Sequence, residues 1–256
     1  MTPIILFGSV PLASWSAAQI LDHPRLSLAG VVCDCSGKTF AHHGLDHPPV
    51  FEFAKDRGIP VVDLDTLPAW TLKHCDGLGL SVRFSEIISA DLLAAFKNGV
   101  LNLHGGPLPS HRGVDIANHL ILEGATTGGG TLHFLDAGID TGPVVDRSTF
   151  EIANGDTAYD VFQKTQRALM GLLARNLDAI AAGKLEAVPQ ADLIAQGEVA
   201  HTYAKADILA FQEIALDMPT DEIDRRVRAF EFEGHEPAYF HIDKRRYFVT
   251  TALGDR

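Results

Sequence analysis

The first two-thirds of the chain alternates short apolar runs with longer stretches in which apolar positions recur at helical spacing. The runs Ile4–Phe7, Leu28–Cys33, Pro60–Val62, Gly77–Val82, Val100–His104 and Thr131–Leu135 are β-branched or leucine-rich and bounded by Gly, Pro or Asp. They read as strands. Helices are expected between them at Ser14–Leu21, Val50–Arg57, Ser89–Phe96 and Ile116–Glu123. Such alternation predicts an α/β fold, a mostly parallel twisted sheet with helices on both faces. A longer helix runs from Thr157 to about Ala182, with Asp156 or Thr157 placed to cap it and Gly183 to end it. Its Ala158, Val161, Phe162, Leu169, Leu172, Leu173 and Ile180 share one broad face.

After Lys184 the pattern changes. Pro189–Gly197 reads as a connection, followed by His201–Asp207 and a capped helix from Thr220 to about Phe230. A hairpin is expected from Ala238–Ile242 and Arg245–Thr250 around Asp243-Lys244. In the helix Ile223, Val227 and Phe230 fall at i, i+4, i+7, so it packs on something. The expected organisation is a catalytic domain over 1–183 and a small α+β appendage over 184–256.

Composition narrows the function classes. The chain has 256 residues, 46% of them apolar and 21% charged, ordinary for a soluble globular protein. No apolar run reaches the roughly 18 residues of a membrane span, and the first residues lack a basic leader, so neither membrane nor signal peptide is expected. Cys33, Cys35 and Cys75 make no disulfide framework, which suits a cytoplasmic protein. A formal charge of −12 argues against nucleic acid as a partner. It leaves room for a small anionic ligand held by local arginines.

Gly8 follows the first strand, but FGSVPLASW contains neither G-x-G-x-x-G nor a P-loop. More informative is Val100-Leu-Asn-Leu-His-Gly-Gly-Pro-Leu-Pro-Ser-His-Arg-Gly113. Asn102 and His104 are two apart on a strand, so their side chains leave the same face, at the carboxyl end where α/β sheets build sites. An unpaired amide or imidazole there would cost about 1–3 kcal/mol. A second loop, Asp136-Ala-Gly-Ile-Asp-Thr-Gly-Pro143, presents Asp136 and Asp140, either of which also suits a turn. An imidazole that moves a proton, an amide N–H that holds an oxyanion and a carboxylate that orients the imidazole fit acyl-type transfer to an amine. No Ser or Cys sits in a nucleophile elbow, which favours direct transfer.

With these segments in view, the chain resembles the formyltransferases that use N10-formyltetrahydrofolate. The likeness rests on N-x-H-x-x-x-L-P-x-x-R-G at Asn102–Gly113, D-x-G-x-D-x-G-P at Asp136–Pro143 and the spacing from His104 to Asp140. It implies a Rossmann-like formyltransferase fold. It also implies that Asn102 polarises the formyl oxygen, His104 acts as general base and Asp140 orients His104. The pterin would lie between two loops and be held largely by backbone, here at Val82, Arg83, Phe84, Ser85 and Ile87 and at Asp136, Gly138 and Asp140. His133 would be a structural neighbour.

Members of this family formylate glycinamide ribonucleotide, methionyl initiator tRNA or nucleotide-linked amino sugars, and a related branch hydrolyses formyl-folate. The hydrolases carry an N-terminal regulatory domain, for which a strand at Ile4 leaves no room. The tRNA enzymes carry a larger, basic appendage, whereas residues 201–256 hold 8 Lys and Arg against 11 Asp and Glu. Gly106-Pro-Leu-Pro109, in place of the common Ser-Leu-Leu-Pro, and the tail segments Tyr203–Asp207, Ile223–Phe232 and Glu236–Phe240 resemble the nucleotide-sugar N-formyltransferases of lipopolysaccharide O-antigen biosynthesis. The acceptor would then touch Lys205, with Arg225 and Arg228 on the pyrophosphate and Phe230, Phe232 or Tyr239 on the base. The expected partners are small molecules, with a homodimer allowed. The alternatives are a ribonucleotide or methionyl-tRNA formyltransferase, a metal-dependent hydrolase using His104, His111, His119 and His133, and a non-catalytic folate-binding protein. No H-E-x-x-H or similar ligand pair supports a metal.

Overall fold

Six strands form the central sheet of the computed structural model, which describes residues 1–36, 43–64, 66–67 and 77–251. They are β1 (Thr2–Phe7), β2 (Leu26–Val32), β3 (Leu78–Val82), β4 (Val100–His104), β6 (Thr127–Phe134) and β7 (Val144–Glu151), in the order β2-β1-β3-β4-β6-β7. The pairs β1–β2, β1–β3 and β3–β4 are parallel, and β4–β6 and β6–β7 are antiparallel. Period-two alternation sends β1 into two cores. Ile4 and Leu6 join one cluster with helices α1 (Pro11–Asp22) and α2 (Val50–Asp56). Ile5 and Phe7 join another with α3 (Ala90–Ala94). Covering both faces is what allows four consecutive buried residues in β1 and five in β3.

Helix α5 (Ala158–Ala182) lies along the sheet. Its 25 residues span about 37 Å at 1.5 Å per residue. Thr157 and Asp160 form a reciprocal capping box, and Gly183 ends the helix in the left-handed conformation at φ 61°. Gly130 of β6 lets α5 approach, since a Cβ there would meet Leu169 Cδ2 at 2.6 Å.

Beyond Lys184 come α6 (Gln190–Ala195), β8 (Thr202–Tyr203), α7 (Lys205–Gln212), α8 (Thr220–Ala229) and the hairpin β9 (Ala238–Ile242)–β10 (Arg245–Val249). Several contacts stitch this part to the rest, among them a strand pairing and a shared apolar cluster. β8 pairs in parallel with β5 (Arg112–Gly113). Ile208, Ile214, Val227 and Phe230 pack with Ile116, Leu120, Ile152 and Val161 in one apolar cluster. Ile116 and Leu120 belong to α4 (Ile116–Leu122).

Three details differ from the sequence expectation. Pro60–Val62 makes only a single bridge, Val31 to Val61, because Pro60 has no N–H to extend a ladder. Val144–Glu151, which carries no hydrophobic run, is the edge strand β7, with alternating partial exposure. The supposed connection Pro189–Gly197 contains α6. Cys75 lies outside the described residues. Among the described residues no helix is long and apolar enough to cross a membrane.

Candidate active site

β4 is flanked by β3 and β6, and its carboxyl end carries Asn102 and His104. The loop that follows is pinned by buried Thr131, whose hydroxyl donates to the Gly106 carbonyl (2.7 Å) and accepts from the Leu108 N–H (3.1 Å). Asp140 comes from the loop between β6 and β7 and adopts a left-handed backbone, φ 51°. One carboxylate oxygen accepts the Gly113 N–H at 2.8 Å and lies 3.4 Å from His104 Nδ1. The other lies 3.5 Å from both Asn102 Nδ2 and His133 Nε2. Gly113 can make this contact because it sits at φ 92° against the Tyr203 carbonyl, where a Cβ would collide. Asn102, His104 and Asp140 therefore converge, although 38 positions separate the first and last.

Carbonyls only accept, so two contacts fix ring protons. His104 Nε2 donates to the His111 carbonyl at 2.6 Å, leaving Nδ1 turned to Asp140. His133 Nδ1 donates to the Phe134 carbonyl at 2.8 Å, which leaves Nε2 to accept from Asn102 Nδ2 at 3.1 Å. Burial pushes the His104 pKa below the ordinary histidine value, more than the nearby Asp140 charge raises it, so the ring is a neutral base at pH 7. Burial alone would raise Asp140, but contact with the His133 and His104 rings in their protonated forms, together with the Gly113 N–H, outweighs it and holds its pKa at about 2.

The three residues open on a cleft of about 790 Å³. Its lining takes Arg83, Phe84, Ile139, Phe162 and His43 from the first two-thirds of the chain and, as a second wall, Lys205, Ile208, Phe230, Phe232 and Glu236 from the last quarter, the two groups meeting where the Phe162 and Phe232 rings stand 5.0 Å apart. Arg83 has a left-handed backbone and lays its guanidinium 4.6 Å from the centre of the Phe162 ring. The residue is exposed to solvent and lines the cleft. Desolvation there brings its pKa down to about 10, with Asp115 opposing, and it stays cationic at neutral pH.

Other expected contacts fall outside the cleft lining. Val82 is packed in the core of β3, so only its backbone is available. Ser85 and Ile87 face outward, Ile87 at 92% exposure. Asp136 closes its own loop, accepting from the Gly138 N–H (3.0 Å) and the Thr141 hydroxyl (2.5 Å). Arg225 pairs with Asp221 at 3.1 Å. Arg228 is buried, donating to Asp224 (2.7 Å) and the Asp156 carbonyl (2.9 Å). The two arginines are spent on their own helix and a neighbouring loop, not on a shared anion site. Tyr239 stays on the hairpin under Arg246, whose guanidinium is 4.8 Å from the ring centre. Unforeseen lining residues include Phe162, which read as helix core, and Asp115, a left-handed residue at φ 56°. Among the described residues no group of three or more His, Cys, Asp or Glu is placed to hold a metal.

A mostly parallel α/β sheet with an amide and an imidazole at the end of β4, met by a carboxylate from the β6–β7 loop, can carry out acyl-type transfer to an amine. The comparisons with known proteins agree. A protein-family model described as formyl transferase matches residues 74–177. A methionyl-tRNA formyltransferase of Corynebacterium urealyticum is 30% identical over 264 residues, 95% of this chain and 76% of that protein. The chain belongs to the formyl transferase family and is an N-formyltransferase. Among solved structures it is similar to an N-formyltransferase from Helicobacter canadensis in complex with folinic acid and dTDP-3-aminofucose. That likeness has a TM-score of 0.76 at 24% identity, covering 95% of this chain and 85% of that one. WlaRD, a sugar 3N-formyl transferase crystallised with dTDP and 5-N-formyl-THF, is similar at TM-score 0.74 and 25% identity, covering 91% and 80%.

Proposed function

We propose that the protein transfers the formyl group of N10-formyltetrahydrofolate to the primary amine of a nucleotide-linked amino sugar. The observation that carries this is the meeting of Asn102, His104 and Asp140 on one cleft that has a second wall from the C-terminal part. Residues 184–256 then serve as the acceptor side of the site. Arg83 and Phe84 lie on the folate side, and Lys205 and Phe230 on the acceptor side.

In this reading the neutral amine nitrogen attacks the formyl carbon. A C–N bond forms and the carbonyl oxygen becomes an oxyanion. The Asn102 N–H that now reaches Asp140 at 3.5 Å is only weakly engaged at that distance and turns to the oxyanion. The amine proton passes to His104 Nδ1, where it rests 3.4 Å from an ionised carboxylate. The bond to folate N10 then breaks, N10 takes the proton, and tetrahydrofolate leaves. Asp140 stays charged throughout because its pKa is about 2.

Two findings bear on the acceptor. Relatives described as methionyl-tRNA formyltransferases are similar to this chain over most of its length, which favours tRNA. The net charge of −12 and an acidic tail oppose a polyanion, and the solved sugar enzymes favour a nucleotide sugar. The test is formyl transfer by the purified protein to a panel of nucleotide-linked amino sugars, methionyl initiator tRNA and glycinamide ribonucleotide. Turnover of a nucleotide sugar alone is expected, and turnover of the tRNA alone overturns the proposal.

A further inference from the structure

A second polar array lies behind the Asp140 carboxylate. Gln190, only 3% exposed, engages every polar atom of its side chain. Its Nε2 donates to the Asp140 carbonyl and to the Gly142 carbonyl, each at 2.8 Å. Its Oε1 accepts from Arg112 Nε (3.0 Å) and Nη2 (2.7 Å). The residue is delivered there by Val188, which exchanges two 2.8 Å backbone hydrogen bonds with Val144 at the start of β7. The β5 dipeptide therefore grips Asp140 at both ends. Gly113 holds the carboxylate directly, and Arg112 holds the main chain through Gln190.

That grip has something to resist. Asp140 sits at φ 51°, a conformation unfavourable for a residue with a Cβ, which persists only where surroundings impose it. Without the two Nε2 donors, the Asp140 and Gly142 carbonyls lose their partners and the loop can relax. When Nδ1 takes up the proton, the His104–Asp140 approach of 3.4 Å leaves no slack, since it is already at the long limit of a hydrogen bond.

We propose that Gln190 is a positioning residue which, with Arg112, fixes the main chain of Asp140 so that its carboxylate stays within reach of His104 Nδ1. This rests on the reading that Asp140 acts with His104. Sequence gives no sign of it, because the amide works on backbone carbonyls from a segment that reads as a connection.

The experiment compares Gln190→Met, Gln190→Glu and Arg112→Met with Asp140→Asn in the full-length protein. It measures kcat, both KM values and the NMR titration of the His104 ring. Gln190→Glu keeps acceptors for Arg112 and removes both N–H donors, so it retains the segment while releasing the loop. We expect kcat to fall about 30- to 100-fold in both Gln190 variants, the scale of a displacement of about 1 Å, with both KM values within about 3-fold. The His104 titration should move to lower pH, because Asp140 no longer opposes the effect of burial, and the acid limb of kcat should move with it. A merely structural role would lower the folded fraction and leave His104 unmoved in the folded molecules. Wild-type kcat and an unmoved His104 titration in Gln190→Glu, with Asp140→Asn inactive, overturn this inference alone. Wild-type turnover in Asp140→Asn overturns the catalytic reading beneath it.

Discussion

The floor of the cleft and its C-terminal wall are held by different physics. Around Asn102, His104 and Asp140, polar side chains are fixed by main-chain groups: the His111 and Phe134 carbonyls and the Gly113 N–H. The C-terminal wall is held by apolar packing of Ile208, Val227 and Phe230 and by surface pairs one helical turn apart, such as Arg225 with Asp221. A floor built from directional contacts to a rigid backbone keeps reacting groups within tenths of an ångström, which proton transfer and oxyanion stabilisation need. A wall built from non-directional packing can be recut by substitution without losing its fold. On the proposed reading, that division lets the chemistry stay fixed while the acceptor side of the cleft changes.

The comparison breaks first at the floor. Replacing His104 by Ala should lower kcat about 10³- to 10⁴-fold, the upper range of general-base loss. Asn102→Ala should cost about 10²- to 10³-fold, the scale of one oxyanion donor. Neither should change the KM of the acceptor more than a few-fold, and steady-state kinetics decides. A wild-type rate in His104→Ala would remove the assigned chemistry. Asp140 gives the next effect, and it is thermodynamic. Its pKa is lowered from 3.8 to about 2, so the stabilisation it contributes is complete above pH 4 and is lost as the pH falls toward 2. The shift corresponds to about 2 kcal/mol. Urea midpoints of the wild type and Asp140→Asn should differ most above pH 5 and converge near pH 2. A gap that does not vary with pH would mean the carboxylate is not held in its charged form by its neighbours.

Much of the floor was legible from sequence because its constraints are periodic. Two polar residues two positions apart on an apolar strand must share a face, and the Gly-Gly-Pro after them marks a strand end. The choice between Asp136 and Asp140 was not legible from residue type, since both suit a turn. It is decided in space by which carboxylate reaches Gly113 and which closes on Thr141. Gln190 was hidden because its amide N–H groups act on main-chain carbonyls and its side-chain partner, Arg112, lies 78 positions away. The outer wall was harder. Arg228 and Arg225 looked like an anion site because helical spacing puts them on one face, but spacing is blind to acidic residues four positions back, which claim both.

Lys205 sharpens the contrast on the wall side. It is exposed and lines the cleft. Lys205→Met should raise the acceptor KM by about 5- to 10-fold, the loss of one charge-assisted contact. It should leave kcat and the folate KM unchanged, the mark of an interaction made equally in ground and transition states. A fall in kcat with an unchanged KM would instead place Lys205 with the reacting groups.

The smallest effect belongs to Arg225. Its guanidinium pairs with Asp221 at 3.1 Å, and both side chains are well exposed, at 36% and 70%. Exposed pairs of this kind are worth about 0–1 kcal/mol, and the residue is not part of the cleft lining. Arg225→Ala should therefore leave kcat and both KM values within about 2-fold of wild type and shift stability by about 0.5 kcal/mol or less. The sensitive measurement is the acceptor KM at low ionic strength, where an unscreened guanidinium acts furthest. A tenfold rise there would return Arg225 to the pyrophosphate and require α8 to turn toward the cleft when the acceptor binds. A flat response leaves Lys205 and Arg83 as the cations, among the described residues lining the cleft, that meet the phosphates or the folate.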